Sequence, residues 1–271
     1  MCRHAYTAEV LRLGLFGVAT LTACGRLDFD AARAVDAPTA TDALATDADP
    51  LGAFRDRCAV LLHMDETTWA TGVDNACTPA SGGQAVGAAT VTDDAIRGRV
   101  GKLDTNGCVM IADAPAVRAT TAVTTSAWVR MEGDPAASFG IVSKRVDYMV
   151  GTEYSSFVWT TSDVYADIDT ENDRVGGTHA IPLDAWTQVT MVYDGALPQA
   201  QRTRIYVDGQ LDAVGAESAA TITQFHSPLA IGCLPLSGPG QTFIGYLDEV
   251  AIWTRALSAG EVASWYALTK R

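Results

Sequence analysis

Four motifs between residues 186 and 257 constrain the fold of this chain more than any other feature. They read Trp-Thr-Gln-Val-Thr-Met-Val-Tyr-Asp-Gly from Trp186, Arg-Ile-Tyr-Val-Asp-Gly-Gln from Arg204, Leu-Ala-Ile-Gly from Leu229 and Gly-Tyr-Leu-Asp-Glu-Val-Ala-Ile-Trp from Gly245. Each piece is a short strand of β-forming residues or a tight turn, and glycine in such a turn tolerates the positive φ of a two-residue hairpin. Successive short strands separated by turns are typical of a β-sandwich.

The segment before these motifs continues the pattern, and only the C-terminal end departs from it. Cys58 opens an apolar run of strand length, Asn106-Gly107 is a favoured hairpin turn, and Thr124 begins a strand. Ser258 stands three residues before Glu261, which is capping-box spacing for a helix. We therefore predict an all-β fold, an antiparallel β-sandwich with one short C-terminal helix.

The N-terminal segment is predicted to be a targeting peptide outside the fold. Its apolar run, residues 13–21, is too short to span a bilayer. The following Leu21-Thr22-Ala23-Cys24 resembles the lipobox of bacterial lipoproteins, which implies cleavage of residues 1–23 and acylation of Cys24. An ordinary secretory peptide is the alternative. The resemblance implies an exported protein of the bacterial cell envelope, anchored in the outer membrane through lipid alone.

Residues 24–53 are rich in Asp, Ala and Thr, and they are predicted to be a disordered tether. Such a coil reaches about 30 Å, which would hold a domain of residues 54–271 away from the lipid surface. The net charge of -13 argues against nucleic acid as a partner, because phosphate binding needs clustered Lys and Arg.

Four cysteines remain once Cys2 is removed with the leader and Cys24 is assigned to lipid. They are Cys58, Cys77, Cys108 and Cys233. An even number in an exported protein predicts two disulfides, and three connectivities are open from sequence alone. Our expectation is that Cys77 pairs with Cys108 and Cys58 with Cys233.

The sequence contains no recognisable catalytic constellation. Gly-x-Ser-x-Gly, His-Glu-x-x-His and a phosphate-binding glycine loop are all missing from it. A retaining glycosidase built on one strand would show alternating acids such as Glu-x-Asp-x-x-Glu, and no such run occurs. Asp167, Asp169 and Glu171 do alternate, but their polar neighbours predict a solvated edge.

Taken in order, the motifs resemble a known family. Ser-Ala-Trp-Val at residues 126–129, Trp…Tyr-Asp-Gly at 186–195, Tyr-Val-Asp-Gly at 206–209 and Gly-x-Leu-Asp-Glu-Val…Arg-Ala-Leu-Ser at 245–258 are similar to laminin-G-like domains of the concanavalin A-like jelly-roll superfamily. The resemblance covers most of residues 54–268 and implies a jelly roll in which the first strand lies beside the closing strand.

That neighbourhood would bring Asp65 close to Asp248, where related jelly rolls often hold a structural calcium ion. Two carboxylates with loop carbonyls can supply the oxygens that calcium needs, and Asp74 with Asn75 is a further candidate ligand pair. In the alternative interpretation Asp248 binds backbone amides at a bend and Asp65 begins a turn.

The tryptophans and the family resemblance together suggest a function. Trp128, Trp186 and Trp253 are predicted to lie in the core, and Trp159, which is followed by polar residues, is the candidate ligand-binding residue. We predict a non-catalytic, envelope-anchored binding or adhesion module for glycan or for an extracellular or envelope protein. The alternatives are a divergent polysaccharide-cleaving enzyme and a purely structural envelope protein.

Overall fold

The computed structural model describes residues 51–133, 139–147, 150–169, 173–235 and 241–271. The predicted leader, the predicted lipidation site Cys24 and the predicted tether up to residue 50 lie outside the described residues. Within these ranges, no helix combines the length and the apolar character needed to cross a bilayer.

The described residues contain fifteen strands and one α-helix. In chain order they are β1 (Cys58–Leu62), β2 (Gln84–Val86), β3 (Ala89–Asp94), β4 (Gly98–Leu103), β5 (Cys108–Ile111), β6 (Ala122–Met131), β7 (Phe139–Asp147), β8 (Val150–Val158), β9 (Asp163–Ile168), β10 (Val175–Ala180), β11 (Thr187–Asp194), β12 (Thr203–Val207), β13 (Gln210–Gly215), β14 (Leu229–Ile231), β15 (Gly245–Trp253) and α1 (Ala259–Thr269).

The strands form two antiparallel sheets that pack face to face. The first, here the helix-side sheet, has the order β13-β12-β11-β6-β15-β4-β3, with β1 also paired to β15. The second, here the ligand-side sheet, has the order β10-β9-β8-β7-β14-β5-β2. This arrangement confirms the predicted all-β sandwich with one C-terminal helix.

The first strand lies beside the closing strand, as the family resemblance implied. Cys58 of β1 is opposite Trp253 of β15, and Leu62 is opposite Val250. Of the nine residues of β15, eight are buried, because its inner face contacts the ligand-side sheet and much of its outer face is covered.

Helix α1 provides that cover on the helix-side sheet. It begins with the predicted capping box, in which the Ser258 side chain accepts from the Glu261 amide while the Glu261 carboxylate accepts from the Ser258 amide. The Trp265 ring lies 5.1 Å from both the Phe54 and the Trp253 rings. The helix is therefore held by an aromatic cluster.

The disulfide connectivity predicted from the sequence is wrong. The structure pairs Cys58 with Cys77 and Cys108 with Cys233. Cys77 reaches Cys58 because its segment returns along β1, where the Ala76 amide donates to the Leu61 carbonyl. Cys108 opens β5, which pairs with β14, and Cys233 follows β14 by two residues.

We expect Trp265→Ala to lower the free energy of unfolding by about 3–5 kcal/mol, because it empties the space between α1 and the helix-side sheet. Urea denaturation would measure the change. The control is Leu268→Ala on the same helix, whose side chain is 39% exposed and whose loss should cost less than about 1 kcal/mol. Equal losses in the two variants would contradict this account of how the helix is held.

Candidate functional site

An aromatic cluster lies on the outer face of the ligand-side sheet. Val158 and Val164 point into the core, so alternation turns Phe157, Trp159 and Tyr165 outward. The Phe157 ring stacks on Tyr165 with centroids 5.8 Å apart, and the Trp159 ring lies 6.1 Å from Phe157 and 6.0 Å from Tyr165. Phe157 is buried, whereas Trp159 and Tyr165 are partly exposed.

A glycine on the neighbouring strand shapes this cluster. Gly176 of β10 is opposite Tyr165, and a Cβ added there would lie only 2.9 Å from the Tyr165 ring. The Tyr165 ring therefore lies over the backbone of β10. A larger residue at position 176 would clash with the ring and displace it.

Charged side chains lie beside the rings on the same face. The Asp167 carboxylate lies 3.1 Å from the Arg174 guanidinium and 3.5 Å from that of Arg145. The guanidinium of Arg174 is also 6.0 Å from the Phe157 ring centroid. Burial raises the pKa of Asp167, while the two arginines act in the opposite direction.

The predicted solvated edge is wrong for Asp167. Its residue is 2% exposed because Arg145 and Arg174 converge on it from β7 and from the segment before β10. Because the Asp167 carboxylate pairs with both guanidinium groups, it fixes the positions of these hydrogen-bond donors on this face.

The structure places two predicted calcium ligands, Asp65 and Asp248, beside guanidinium groups. The fully buried Asp248 accepts a 2.7 Å hydrogen bond from the guanidinium of Arg97, and Arg271 lies 3.9 Å away. The Asp65 carboxylate lies 3.6 Å from the same Arg271. Pairing of β1 with β15 thus brings both aspartates to Arg271, and two guanidinium groups provide the positive charge. Burial raises the pKa of Asp248 to about 7.

Asp74, the third predicted ligand, lies near Asp65 rather than near Asp248. With Asp65 it lines a cavity of about 580 Å³, and Asp248 is not among the lining residues. Across the described ranges, no three or more acidic, histidine or cysteine side chains are grouped so as to hold a metal ion.

Cations and aromatic rings form a row across the outer face of the helix-side sheet, alternating except where the Trp128 and Tyr266 rings stack on each other. We call this row the cation–aromatic ladder, and its members in spatial order are Lys102, Tyr246, Arg130, Trp186, Arg97, Trp128, Tyr266 and Lys270. Trp128 and Trp253 are buried, as predicted. Trp186 differs from the prediction because it is partly exposed, with guanidinium groups 5.4 and 5.7 Å from its ring.

A family model described as the concanavalin A-like lectin/glucanases superfamily matches residues 103–263, more than half of the sequence. The chain belongs to this superfamily. No curated protein matches the sequence significantly.

Solved structures of this superfamily fold are similar to the chain at low identity. Domain 4 of an extracellular arabinanase from Geobacillus stearothermophilus, solved with arabinotriose, has 14% identity and a TM-score of 0.58, covering 79% of this chain and 98% of that one. The binding domain of Paraclostridial Mosquitocidal Protein 1 has 13% identity and a TM-score of 0.61, covering 78% and 52%. Botulinum neurotoxin type C, whose cell entry is dependent upon interaction with two ganglioside molecules, has 10% identity and a TM-score of 0.59, covering 82% and 53%. The chain thus spans about half the length of these two toxin chains.

Sequence reasoning found Trp159 but missed the residues around it. Phe157 and Tyr165 lie opposite each other on β8 and β9, and each belongs to an alternating pattern. The patterns Phe-x-Trp and Tyr-x-Asp in consecutive strands would have placed all four side chains on one face. Arg145 and Arg174 carry no comparable signal, because only the fold brings them to Asp167.

We expect Arg97→Ala to lower the free energy of unfolding by about 3–5 kcal/mol, because it leaves the Asp248 carboxylate buried without its partner. Arg99→Ala is the control: its side chain is 39% exposed, and we expect a change below about 0.5 kcal/mol.

We also expect EDTA to leave the melting temperature of the unmodified protein unchanged. A melting temperature that falls with EDTA and recovers with added calcium would show that the aspartates bind the ion after all.

Proposed function

We propose that this chain is a non-catalytic binding module that holds carbohydrate against the aromatic cluster of the ligand-side sheet. One observation carries the proposal: Trp159 and Tyr165 are both partly exposed on the same face, beside the Arg145–Asp167–Arg174 group. The opposite outer face is less suited to stacking, because cations already lie over the rings of Tyr246 and Trp186.

The physical basis is the two-sided character of a sugar. One face of a pyranose or furanose ring presents C–H groups, which pack against an aromatic ring, while the hydroxyl groups need polar partners. Guanidinium groups held by a carboxylate are donors of fixed direction, and little entropy is lost when they bind a hydroxyl. The aromatic cluster supplies the apolar surface, and Arg174, whose side chain is 14% exposed beside the rings, supplies a donor on the same face, while the buried Arg145 holds Asp167 in place.

The comparisons support the same class of ligand. The arabinanase domain was solved with an arabinose oligosaccharide, and the cell entry of the neurotoxin depends on gangliosides. Identity is too low to transfer either ligand to this chain. The two disulfides suit an exported protein, which supports the proposed location in the bacterial envelope behind a lipid anchor at Cys24.

We expect Trp159→Ala and Tyr165→Ala each to weaken binding about tenfold, equivalent to about 1.4 kcal/mol, since each removes one stacking surface. The full chain would be screened on an array of neutral and acidic oligosaccharides that includes arabinotriose. The strongest binder would then be titrated by calorimetry.

Trp186→Ala is the matched control, because it removes an equally large ring from the other sheet. Its affinity should equal that of the unmodified protein, with circular dichroism verifying the fold of each variant. Equal loss in all three variants would place the site away from the cluster, and the appearance of shortened oligosaccharides would establish an enzyme instead.

A further inference from the structure

Two acidic side chains meet at the edge of the ligand-side sheet without a cation between them. Glu217 follows β13 and is 1% exposed, and its carboxyl is within hydrogen-bonding contact of Asp173, just before β10. The Ser218 amide donates to the Asp173 carboxylate at 2.7 Å, and the Ala219 amide donates to Glu217 at 3.0 Å. These bonds tie the segment after β13 to the segment before β10.

Asp173 Oδ1 is buried and, like Asp248 Oδ1, has no hydrogen-bond partner among the described residues, a state that is costly for an ionised carboxylate. Two carboxylates in contact cannot both remain ionised in a buried place, and a single proton between them satisfies the otherwise unpaired oxygen. The protonated Glu217 carboxyl is thus arranged to donate a hydrogen bond, and the Asp173 carboxylate is arranged to accept it.

The charged surroundings of the pair reinforce this. Asp167 acts on Glu217 from β9, and Asp169 and Asp194 add negative charge around the neighbouring Tyr193. The nearby cation, Arg202, bonds the main-chain carbonyls of Glu217 and Ser218. Burial raises the pKa of Glu217 to about 8, and the pKa of Tyr193 to about 12.

The pair is joined to the ligand face through one residue. Arg174 follows Asp173 directly, and its guanidinium lies 3.1 Å from Asp167 and 6.0 Å from the Phe157 ring. If Glu217 also became negative, it would repel the Asp173 segment from the segment after β13. The added charge would also attract the Arg174 guanidinium toward the pair and away from the rings.

We propose that Glu217 and Asp173 share one proton and form a clasp that holds Arg174 against the aromatic cluster, so that loss of the proton loosens the ligand face. The pH dependence of ligand binding rests on the proposed function; the clasp itself does not. Glu217 and Asp173 are positioning residues, because they act on the face through Arg174.

The sign of the stability effect follows from linkage. The folded protein holds the Glu217 proton more tightly than the unfolded chain, whose glutamate has a pKa near 4.5. Stability contributed by this group therefore falls as pH rises from about 4.5 through about 8, and the full penalty applies above that range. Glu217→Gln keeps a hydrogen-bond donor and removes the charge, so this variant should lose the slope.

The first test needs no sugar. Infrared difference spectra and the fluorescence of Trp159, obtained by subtracting a Trp159→Phe variant, would be followed from pH 6 to about 10 on the full chain. We expect a protonated carboxyl band and a Trp159 fluorescence change that titrate together near pH 8. Both should vanish in Glu217→Gln and persist in Asp93→Asn, a control whose aspartate side chain is 86% exposed. No titration in the unmodified protein, or the same titration in Glu217→Gln, would overturn the clasp.

The second test uses the strongest oligosaccharide from the array. If it binds only the protonated clasp, its dissociation constant should rise about tenfold per pH unit above the titration midpoint, and Glu217→Gln should bind equally well at pH 7 and pH 9. Unchanged affinity despite a normal spectroscopic titration would refute the coupling to the face. If no oligosaccharide binds at any pH, the proposed function fails, while the spectroscopic result still decides the clasp.

Discussion

The buried carboxylate of Asp248 is the constraint on which the helix-side sheet depends. It lies in β15, a strand paired with β1, β4 and β6, where water cannot compensate its charge. Arg97 supplies the compensation, and its guanidinium also lies 4.2 Å from the Trp128 ring, the next member of the cation–aromatic ladder. A single ion pair thereby fixes the side chains over which α1 packs. Because this outer face is committed to structure, we assign the proposed ligand site to the ligand-side sheet.

The two outer faces use the same side-chain types differently. On the helix-side sheet, cations lie between aromatic rings and close them to stacking by other groups. On the ligand-side sheet, the arginines converge on Asp167, so the charges pair with each other beside the rings of Trp159 and Tyr165. This difference explains why one set of aromatic residues stabilises the helix, and it supports our proposal that the other set binds a sugar.

The sequence predicted those structural features that depend on residues close together along the chain. Alternation and turn chemistry identified the strands, the capping box identified α1, and motif order identified the superfamily together with the pairing of β1 and β15. Contacts between residues far apart in the sequence were not predicted. Arg97 and Asp248 are 151 residues apart, so the sequence suggested a calcium ligand where an ion pair exists. The disulfides failed for the same reason, because Cys108 meets Cys233 only once β5 and β14 are paired. Asp167 looked solvated because the arginines that bury it are not its sequence neighbours.

The buried carboxyl groups of Asp248 and Glu217 therefore differ in what opposes their negative charge. Asp248 accepts a 2.7 Å hydrogen bond from a guanidinium, which opposes the rise in its pKa that burial causes, and breaking this ion pair would cost stability. Glu217 faces another carboxylate, and balance there requires a proton, whose occupancy depends on the solution. A charge that only a proton can balance is a poor structural element, yet it is suited to a position next to a binding face. The proposed Glu217–Asp173 clasp lies at the edge beside Arg174, whereas the Arg97–Asp248 ion pair lies at the centre of the other sheet. The proposed pH response and the ion pair that stabilises the fold are therefore in different parts of the sandwich.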